Sequence, residues 1–417
     1  MRGSRTRLGV VLLTAASVSL VVALSAAARP AGPEGTSAAT GTTTVTLSGW
    51  SSSPAETAAL RAVINAFQRQ NRGVRVNYAP ISGDYDAAML ARFAARRPPD
   101  VFYVESLDFL DYLPALEPLN RYIAQSRRNF STRPFFPRLL NAFKRGNTIY
   151  GLPKDWSPLG MIVNPAMLQR AGVTSPPRNW TQLTTALTRL RSTNAVPDGA
   201  PACLSLDWAR ILPFMIQNRG HFITNGRATV NTPQNVATVN RYLGWLQSGL
   251  ARTPAQLGVD WCGTALGQGK AAVVFEGNWI VGFMQEQYPS VRFRIDRMVR
   301  NQQEGNLGFT VAYAMGKAGR NKAAAWRLLR FLVNRQGMGI WTRGGIALPS
   351  RSDVRVPTGR ANLQRAAPAA RPWQFGKGFQ RVMDAAGNEL TSTFEGKQTV
   401  NVMLQKIQTL VAEALRG

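Results

Sequence analysis

Apolar positions along residues 44–104 repeat with two different periods, and the change from one period to the other predicts alternating strands and helices. Residues 45–50 alternate apolar and polar side chains as a strand does. Ser53, Pro54 and Glu56 then form a capping box with proline in the first turn, before apolar residues at 60, 63, 64 and 67 on one helical face. Further strands are predicted at 74–78 and 101–104, with a helix at 87–95 between them.

The same logic continues through the rest of the chain. A strand at 161–164 precedes a helix ending near Gly172, a helix start at Asn179 and Trp180, and a strand around 203–207. Helices are predicted at 107 onward, 239–250, 323–333 and 400–415. Strands that alternate with helices form parallel sheets that are covered on both faces. The sequence therefore predicts an α/β fold with sheets flanked by helices.

The first 43 residues have a different pattern. Arg2, Arg5 and Arg7 precede an uncharged run at 9–24 and then four small residues, which is the pattern of an export signal at 1–28. The run is shorter than the roughly 20 apolar residues that span a bilayer. Residues 29–43 are small and turn-forming without apolar periodicity, so a disordered tether is predicted there.

The charge of the chain is strongly positive. Removing the three arginines of residues 1–28 from the formal net charge of +28 leaves +25. The arginines are scattered through helices and turns and are not clustered with aromatic residues, so a nucleic-acid partner is not expected. A charge of this size attracts anionic envelope polymers or lipid head groups in a salt-dependent way.

Few residues are suited to metal binding or nucleophilic catalysis. The chain has two cysteines, Cys203 and Cys262, and one histidine, His221. Neither a zinc cluster nor a Ser-His-Asp triad is easily built from this set, so no cofactor, metal or catalytic residue is predicted. Export to an oxidising compartment predicts one disulfide between the cysteines, and two separate buried thiols are the alternative.

Several segments occur in an order that resembles the family-1 extracellular solute-binding proteins. This is the sugar-binding branch that includes the maltose- and glucose-binding proteins of bacterial ABC importers. The resemblance spans residues 44–417 and rests on Pro-Pro-Asp-Val at 98–101, Ile-Tyr-Gly-Leu-Pro at 149–153, Leu-Gly-Met-Ile-Val-Asn at 159–164, Pro-Pro-Arg-Asn-Trp at 176–180, the segment 269–279 that ends in Glu-Gly-Asn-Trp, the helix 323–332, and Gly-Ile-Ala-Leu-Pro at 345–349.

This resemblance implies a two-lobed periplasmic-binding-protein fold with a hinge of several chain crossings. Carried onto this sequence, lobe 1 is 44–153 plus 267–313 and lobe 2 is 154–266 plus 314–417. It also implies a monomeric, non-enzymatic protein that captures a mono-, di- or oligosaccharide between the lobes and delivers it to transmembrane permease subunits. Many relatives carry a lipid-modified cysteine where Ala27 stands, so a periplasmic or cell-surface protein without a lipid anchor is expected.

Candidate binding residues follow from the chemistry of sugars. Sugar faces stack on aromatic rings, and the resemblance places Trp50 and Trp279 at the cleft edge. Trp156, which follows the first hinge crossing, and Trp208 are the next candidates, with Trp373 as a wall residue. By contrast, Trp180, Trp245 and Trp326 lie at helical spacing among apolar residues and are predicted to be core.

Sugar hydroxyls need polar partners, and ligands of open α/β sheets sit beyond the carboxyl ends of strands. The polar candidates at such places, or in loops near them, are Tyr85, Glu105, Ser106, Asp155, Asp207, Asn278 and Arg351.

Three alternatives stay open at the sequence level. Glu105 with Glu276 would be the carboxylate pair if the chain were a glycosidase. The same fold could bind a sugar phosphate such as a glycerophospho compound, which the basic charge would suit. The fold could also serve a sensory or envelope-adhesion protein that takes no part in transport.

Overall fold

The structure is a computed structural model that describes residues 42–51 and 53–416. The predicted export signal and residues 29–41 of the predicted tether lie outside the described residues. The first strand begins at Thr43, which the sequence analysis had given to the tether. No helix in the described ranges is long and apolar enough to cross a membrane.

The described residues form strands of two to ten residues, numbered here in chain order. They are β1 (Thr43–Ser48), β2 (Val74–Tyr78), β3 (Val101–Glu105), β4 (Lys144–Arg145), β5 (Thr148–Ile149), β6 (Gly151–Pro158), β7 (Gly160–Val163), β8 (Ala200–Cys203), β9 (Ile223–Thr224), β10 (Arg227–Ala228), β11 (Ala251–Arg252), β12 (Ala271–Glu276), β13 (Arg294–Asp296), β14 (Asn306–Met315) and β15 (Ala370–Pro372).

The α-helices lie between these strands and at the C-terminal end. They are α1 (Pro54–Gln70), α2 (Tyr85–Ala94), α3 (Phe109–Tyr112), α4 (Asn120–Gln125), α5 (Pro137–Asn141), α6 (Pro165–Arg170), α7 (Trp180–Ser192), α8 (Trp208–Gln217), α9 (Pro233–Gln247), α10 (Cys262–Gly267), α11 (Trp279–Gln287), α12 (Lys322–Leu332), α13 (Arg335–Thr342), α14 (Ala361–Gln364), α15 (Phe379–Phe394) and α16 (Val400–Ala414).

Two sheets organise these elements, and each defines a lobe. In the first sheet, β1 is parallel to β2 and β3, and β14 runs antiparallel to β3 and β6 and parallel to β15. In the second sheet, β8 is parallel to β11 and β12, while β7 is antiparallel to β12 and β13. The α/β fold with two sheets agrees with the prediction, although both sheets are mixed and not purely parallel.

The predicted division of the chain between the lobes is wrong in two segments. β12 belongs to the second sheet, whereas the prediction assigned 267–313 to the first lobe. Helices α12 and α13 pack in the core of the first sheet, whereas the prediction assigned 314–417 to the second lobe. All six residues of β12 are buried. Such a run fits the centre of either sheet, and its partner strands are distant in sequence, so the pattern alone does not identify the sheet.

The last two helices lie in the second lobe, whereas β15 before them pairs with β14 of the first sheet. Helices α15 and α16 pack in the core of the second lobe, where Phe379 and Ile407 join Val239 of α9. The chain therefore crosses between the sheets at Leu159, at 297–305 and at 373–378, and not at the predicted lobe boundaries at 153/154, 266/267 and 313/314. Trp180, Trp245 and Trp326 are buried, as predicted.

Helix starts were the most accurately predicted local features. Ser53 Oγ accepts a hydrogen bond from the backbone N–H of Glu56 at 3.1 Å, which confirms the predicted start of α1. Asn179 caps α7 in the same way through the N–H of Gln182. The strand predicted around 203–207 instead ends at Cys203. Asp207 lies beyond it and caps α8 by accepting from the N–H of Arg210, which ends the extended segment.

Cys203 at the end of β8 and Cys262 at the start of α10 form a disulfide, with Cα atoms 5.4 Å apart. The bond closes a loop with a sequence separation of 59 residues within the second lobe. We expect the purified, denatured and unreduced protein to react with no thiol reagent, and the reduced protein to show two thiols, because the chain has only these two cysteines. Two reactive thiols without reduction would contradict the bond.

Candidate functional site

A cavity of about 570 Å³ lies between the two sheets, and we call it the interlobe cavity. Its walls come from both lobes and combine aromatic rings with charged groups. They consist of Trp50, Ser53, Pro54, Glu56, Glu105, Lys154, Asp155, Trp156, Ser157, Arg210, Trp279, Gly282, Phe283, Glu286, Gln287, Phe309, Val311, Trp341, Ile346, Ala347 and Trp373.

Three strands of the first sheet supply one wall of this cavity. Val311 of β14 is in register with Glu105 of β3 on one side and with Asp155 of β6 on the other. Residues in register on neighbouring strands direct their side chains to the same face of a sheet. The two carboxylates therefore stand on either side of Val311, and all three side chains face the cavity.

The second lobe supplies the facing wall. Trp279, Phe283 and Glu286 of α11 are spaced by four and three residues, so they lie along one face of the helix. Glu286 Oε1 accepts a hydrogen bond at 3.0 Å from the N–H of Ala55, in the first turn of α1. This hydrogen bond joins the two lobes at the cavity edge.

The aromatic rings of the cavity are fixed by contacts with one another. The ring of Trp50 packs edge-on against Tyr85 and Tyr103, each with centroids 5.1 Å apart. On the other side, Phe309 lies 5.4 Å from Trp279 and 6.0 Å from Trp373. The cavity thus presents indole rings from both lobes in defined orientations.

Lys154 is a cation of the first-lobe wall, and acidic and aromatic groups surround it. Its Nζ lies 2.6 Å from Asp155 Oδ2 and 3.8 Å from Glu56 Oε1. It also lies 3.7 Å from the ring centroid of Trp341. The indole N–H of Trp341 donates to the same Asp155 oxygen at 2.8 Å. The charge of Lys154 is therefore compensated within the protein.

Arg210 is the cation of the second-lobe wall, and it is also paired. Its Nη2 lies 2.6 Å from Glu276 Oε2, and its Nη1 lies 3.6 Å from Asp207 Oδ2. Glu276 is buried and accepts a further hydrogen bond from the indole N–H of Trp279 at 3.0 Å. Burial raises the pKa of Glu276, while the charge of Arg210 acts in the opposite direction. This ion pair therefore holds the ring of Trp279 in place.

Glu105 differs from the other carboxylates of the cavity. Within the described residues its carboxylate makes neither a hydrogen bond nor an ion pair. Burial raises its pKa to about 7, and the charge of nearby Asp86 adds to the effect. The cavity therefore contains an acidic group, Glu105, whose carboxylate no described residue pairs or hydrogen-bonds.

Half of the predicted binding residues line the interlobe cavity. They are Trp50, Glu105, Asp155, Trp156, Trp279 and Trp373. They come from the ends of β1 and β3, from β6, from the start of α11, and from the segment after β15. These residues are far apart in the sequence, so their proximity could not be predicted from it. The arrangement of the two sheets brings them to one cavity.

Three of the other predicted residues support the cavity from behind. Tyr85 donates its hydroxyl hydrogen to the carbonyl of Tyr103 and packs against Trp50. Ser106 is buried and donates to the carbonyl of Trp373 at 2.9 Å. Asn278 is buried and donates to the carbonyl of Gly345 at 2.6 Å. None of these three lines the cavity, and each donates a hydrogen bond to a backbone carbonyl behind the cavity wall.

The last three predicted residues lie away from the cavity lining. Asp207 caps α8 and pairs with Arg210. Trp208 is buried in the core of the second lobe, with its ring 5.1 Å from that of Phe222. Arg351 is buried and forms an ion pair with Asp353 at 2.7 Å. The sequence analysis placed Asp207 in a strand and Trp208 after it, whereas these residues start helix α8 and their side chains turn away from the cavity.

The sequence analysis missed Lys154, Arg210 and Trp341. Arg210 lies three residues after Asp207, where the first turn of a helix brings a side chain back beside the cap, so the helix start at Asp207 was a usable signal. Trp341 lies on α13, which the prediction assigned to the other lobe. Among the described residues, no group of three His, Cys, Asp or Glu side chains could hold a metal ion.

A two-lobed α/β protein with an aromatic and polar cavity between its sheets has the architecture of a small-molecule receptor. The family model for the bacterial extracellular solute-binding proteins matches residues 50–339, and the chain belongs to this family.

Similar proteins agree with this assignment. A protein of Brucella abortus (strain 2308) that is described as a binding protein is 22% identical over 362 residues, covering 82% of this chain and 86% of the relative. An ABC substrate-binding protein of Listeria monocytogenes, solved with cycloalternan, has a TM-score of 0.81 at 21% identity and covers 90% of this chain and 99% of its own. The GacH receptor of Streptomyces glaucescens GLA.O, solved unliganded and with acarbose, has a TM-score of 0.80 at 17% identity with coverage of 90% and 99%. At these identities the structural matches show the shared fold.

Proposed function

We propose that this protein is the extracytoplasmic receptor of an ABC importer and that it captures a carbohydrate in the interlobe cavity. A mono-, di- or oligosaccharide would bind between the lobes and be delivered to a pair of permease subunits. The export signal predicted at 1–28 and the extracellular family support a place outside the cytoplasm. With alanine at position 27, we propose a protein without a lipid anchor.

The observation that carries this proposal is the composition of the cavity walls. The volume of the interlobe cavity, about 570 Å³, lies within the range of about 300 to 1,000 Å³ that small-molecule sites occupy. Trp50, Trp279 and Trp373 offer flat apolar surfaces to the C–H faces of sugar rings. Carboxylates beside these rings accept hydrogen bonds from hydroxyl groups. The similar proteins solved with cycloalternan and with acarbose support a carbohydrate as the ligand class.

The charges of the cavity disfavour a sugar phosphate. Phosphate recognition uses cations whose donors are available to the phosphate oxygens. The two cations here, Lys154 and Arg210, are already in ion pairs at 2.6 Å with Asp155 and Glu276. A phosphate would have to displace these carboxylates or lie beside them.

The arrangement of the carboxylates also supports binding without catalysis. Of the pair that a glycosidase would use, Glu105 lines the cavity, whereas Glu276 is buried and is not among the lining residues. Glu276 is also held by Arg210 and by the N–H of Trp279. A carboxylate that accepts two hydrogen bonds from the protein is poorly placed to act as a nucleophile or as a base for water.

A thermal-shift screen of the exported chain, residues 29–417, tests the proposal. The screen would contain neutral saccharides, sugar alcohols, amino sugars and sugar phosphates. A ligand at 100 times its Kd adds about 2.7 kcal/mol to the free energy of unfolding, so the correct class should raise the melting temperature clearly.

The outcomes of the screen are distinct. A shift with saccharides supports the receptor proposal, and a shift with phosphorylated compounds alone would replace it with the sugar-phosphate alternative. No shift with any sugar would favour the sensory or adhesion alternative. Permease genes beside the gene for this chain would support a role in transport, and their absence would count against it.

A further inference from the structure

We infer that the solute carries a protonated amine, as an amino sugar or an aminocyclitol does, and that Glu105 binds this amine. The inference rests on the proposed function and narrows its ligand class. It follows from the charge balance of the interlobe cavity, from the partners of each charged group there, and from the aromatic rings around them.

The charge of the cavity is opposite to that of the whole protein. The complete chain has a formal net charge of +28. The cavity lining has four acidic residues and two basic residues, namely Glu56, Glu105, Asp155 and Glu286 against Lys154 and Arg210. A cleft with low-dielectric walls concentrates the field of its own charges. The cavity lining therefore favours cations although the net charge of the whole chain is positive.

Neither cation of the cavity compensates Glu105. Lys154 lies 2.6 Å from Asp155 and 3.8 Å from Glu56. Arg210 lies 2.6 Å from Glu276 and 3.6 Å from Asp207. Each of the two cations that line the cavity is thus shared between two carboxylates, and within the described residues neither is left to pair with Glu105.

Ionised Glu105 has no counter-ion among the described residues of the cavity, so it gains more from a cationic partner than from a neutral one. Burial raises the pKa of Glu105 to about 7, with a further contribution from Asp86, so the environment opposes its negative charge. A neutral hydroxyl donates one hydrogen bond but leaves that charge uncompensated once the ligand excludes water. An ammonium group donates hydrogen bonds and also compensates the charge, so the pair gains an attraction between opposite charges that a hydroxyl group cannot supply.

The surroundings of Glu105 suit a cation in a second way. Trp373 is held against this end of β3 by the hydrogen bond from Ser106, and its ring lines the same cavity. Phe309 lies between Trp373 and Trp279, with centroid distances of 6.0 and 5.4 Å. Faces of aromatic rings attract cations, and indole attracts them most strongly. The same rings that stack on sugar C–H faces therefore also favour an ammonium group.

The test uses matched series of ligands in which an ammonium group is exchanged for a hydroxyl or an acetamido group on the same carbon skeleton. One series is the chitosan disaccharide and trisaccharide, their N-acetylated forms, and cellobiose with cellotriose. A second series is the 1-amino-1-deoxy-alditols made from maltose and maltotriose, with the corresponding alditols. Titration calorimetry of the parent protein at pH 7 gives Kd for each member, and spermidine serves as an amine without a sugar ring.

Two variants assign the effect to Glu105. Glu105→Gln keeps the shape of the side chain and removes its charge. Glu413→Gln makes the same change in net charge on α16, at an exposed residue that does not line the cavity. We expect the amine-bearing member of one series to bind at least tenfold more tightly than its neutral counterpart. Glu105→Gln should abolish this preference, and Glu413→Gln should leave it unchanged.

The other outcomes separate this inference from the proposed function. Neutral saccharides that bind as tightly as their amines would overturn the inference and leave the carbohydrate receptor in place. A preference for amines that survives in Glu105→Gln would overturn the role of Glu105. Binding of spermidine without a response to any sugar, or no binding at all, would overturn both. A melting temperature of the unliganded Glu105→Gln variant near that of the parent verifies that the variant is folded.

Discussion

Replacing Arg210 with alanine is expected to lower the free energy of unfolding by about 3 to 5 kcal/mol at pH 7.5, because it leaves a buried carboxylate without its cation. Glu276 is 1% exposed and lies 2.6 Å from Arg210. Its pKa is raised by burial, which the arginine partly offsets. The measurement is denaturant unfolding of the parent and the variant without ligand.

The pH dependence and a second variant identify the source of this loss. A carboxyl group whose pKa is raised in the folded state favours folding at low pH, and this contribution is lost as the pH rises above the ordinary carboxyl range. The deficit of Arg210→Ala should therefore be smaller at pH 5 than at pH 7.5. Adding Glu276→Gln should recover more than half of it. An equal deficit at both pH values, with no recovery, would contradict the ion-pair explanation.

Replacing Trp279 with alanine is expected to raise the Kd for the saccharide found by the screen about 100-fold, which corresponds to about 2.8 kcal/mol. The indole lines the interlobe cavity, lies 5.4 Å from Phe309, and is fixed by its hydrogen bond to Glu276. Its removal takes away both the stacking surface and the group that excludes water. Titration calorimetry of the parent and the variant gives the ratio.

Two controls make this result specific to the site. Trp279→Phe keeps a ring in place and should retain most of the affinity. Trp208→Phe alters a tryptophan that the sequence also suggested for binding, but which is buried in the core of the second lobe. It should leave the Kd unchanged. If Trp279→Ala and Trp50→Ala both bind as the parent does, the cavity is not the binding site.

Much of the fold could be predicted because its signals are local. The cap formed by Ser53 and the cap formed by Asn179 mark the starts of α1 and α7, and each depends on side chains within four residues. The lobe to which a segment belongs depends on pairing between distant strands. β12 pairs with β7 and β8, and nothing in its sequence, five apolar residues followed by Glu276, distinguishes those partners from the strands of the first sheet.

The site was predicted in part for the same reason. Positions at strand ends face a cleft, and this rule located Glu105, while the family resemblance located Trp279. The direction of a side chain depends on which partners the fold brings near it. Ser106 and Asn278 donate to backbone carbonyls of residues distant in sequence, so their side chains do not face the cavity. Lys154 and Arg210 were missed because their importance lies in ion pairs with residues that other elements contribute.

Trp373 lines the cavity and also lies on a segment that connects the two lobes. The indole follows β15 of the first sheet and stands at the beginning of the segment 373–378 that leads into α15 of the second lobe. If the second lobe rotated about this segment, the ring of Trp373 would stay with the first lobe, because Ser106 holds its backbone there. A solute that stacks on Trp373 therefore contacts a segment that connects the two lobes. Binding in the cavity is for this reason expected to favour one particular angle between the lobes.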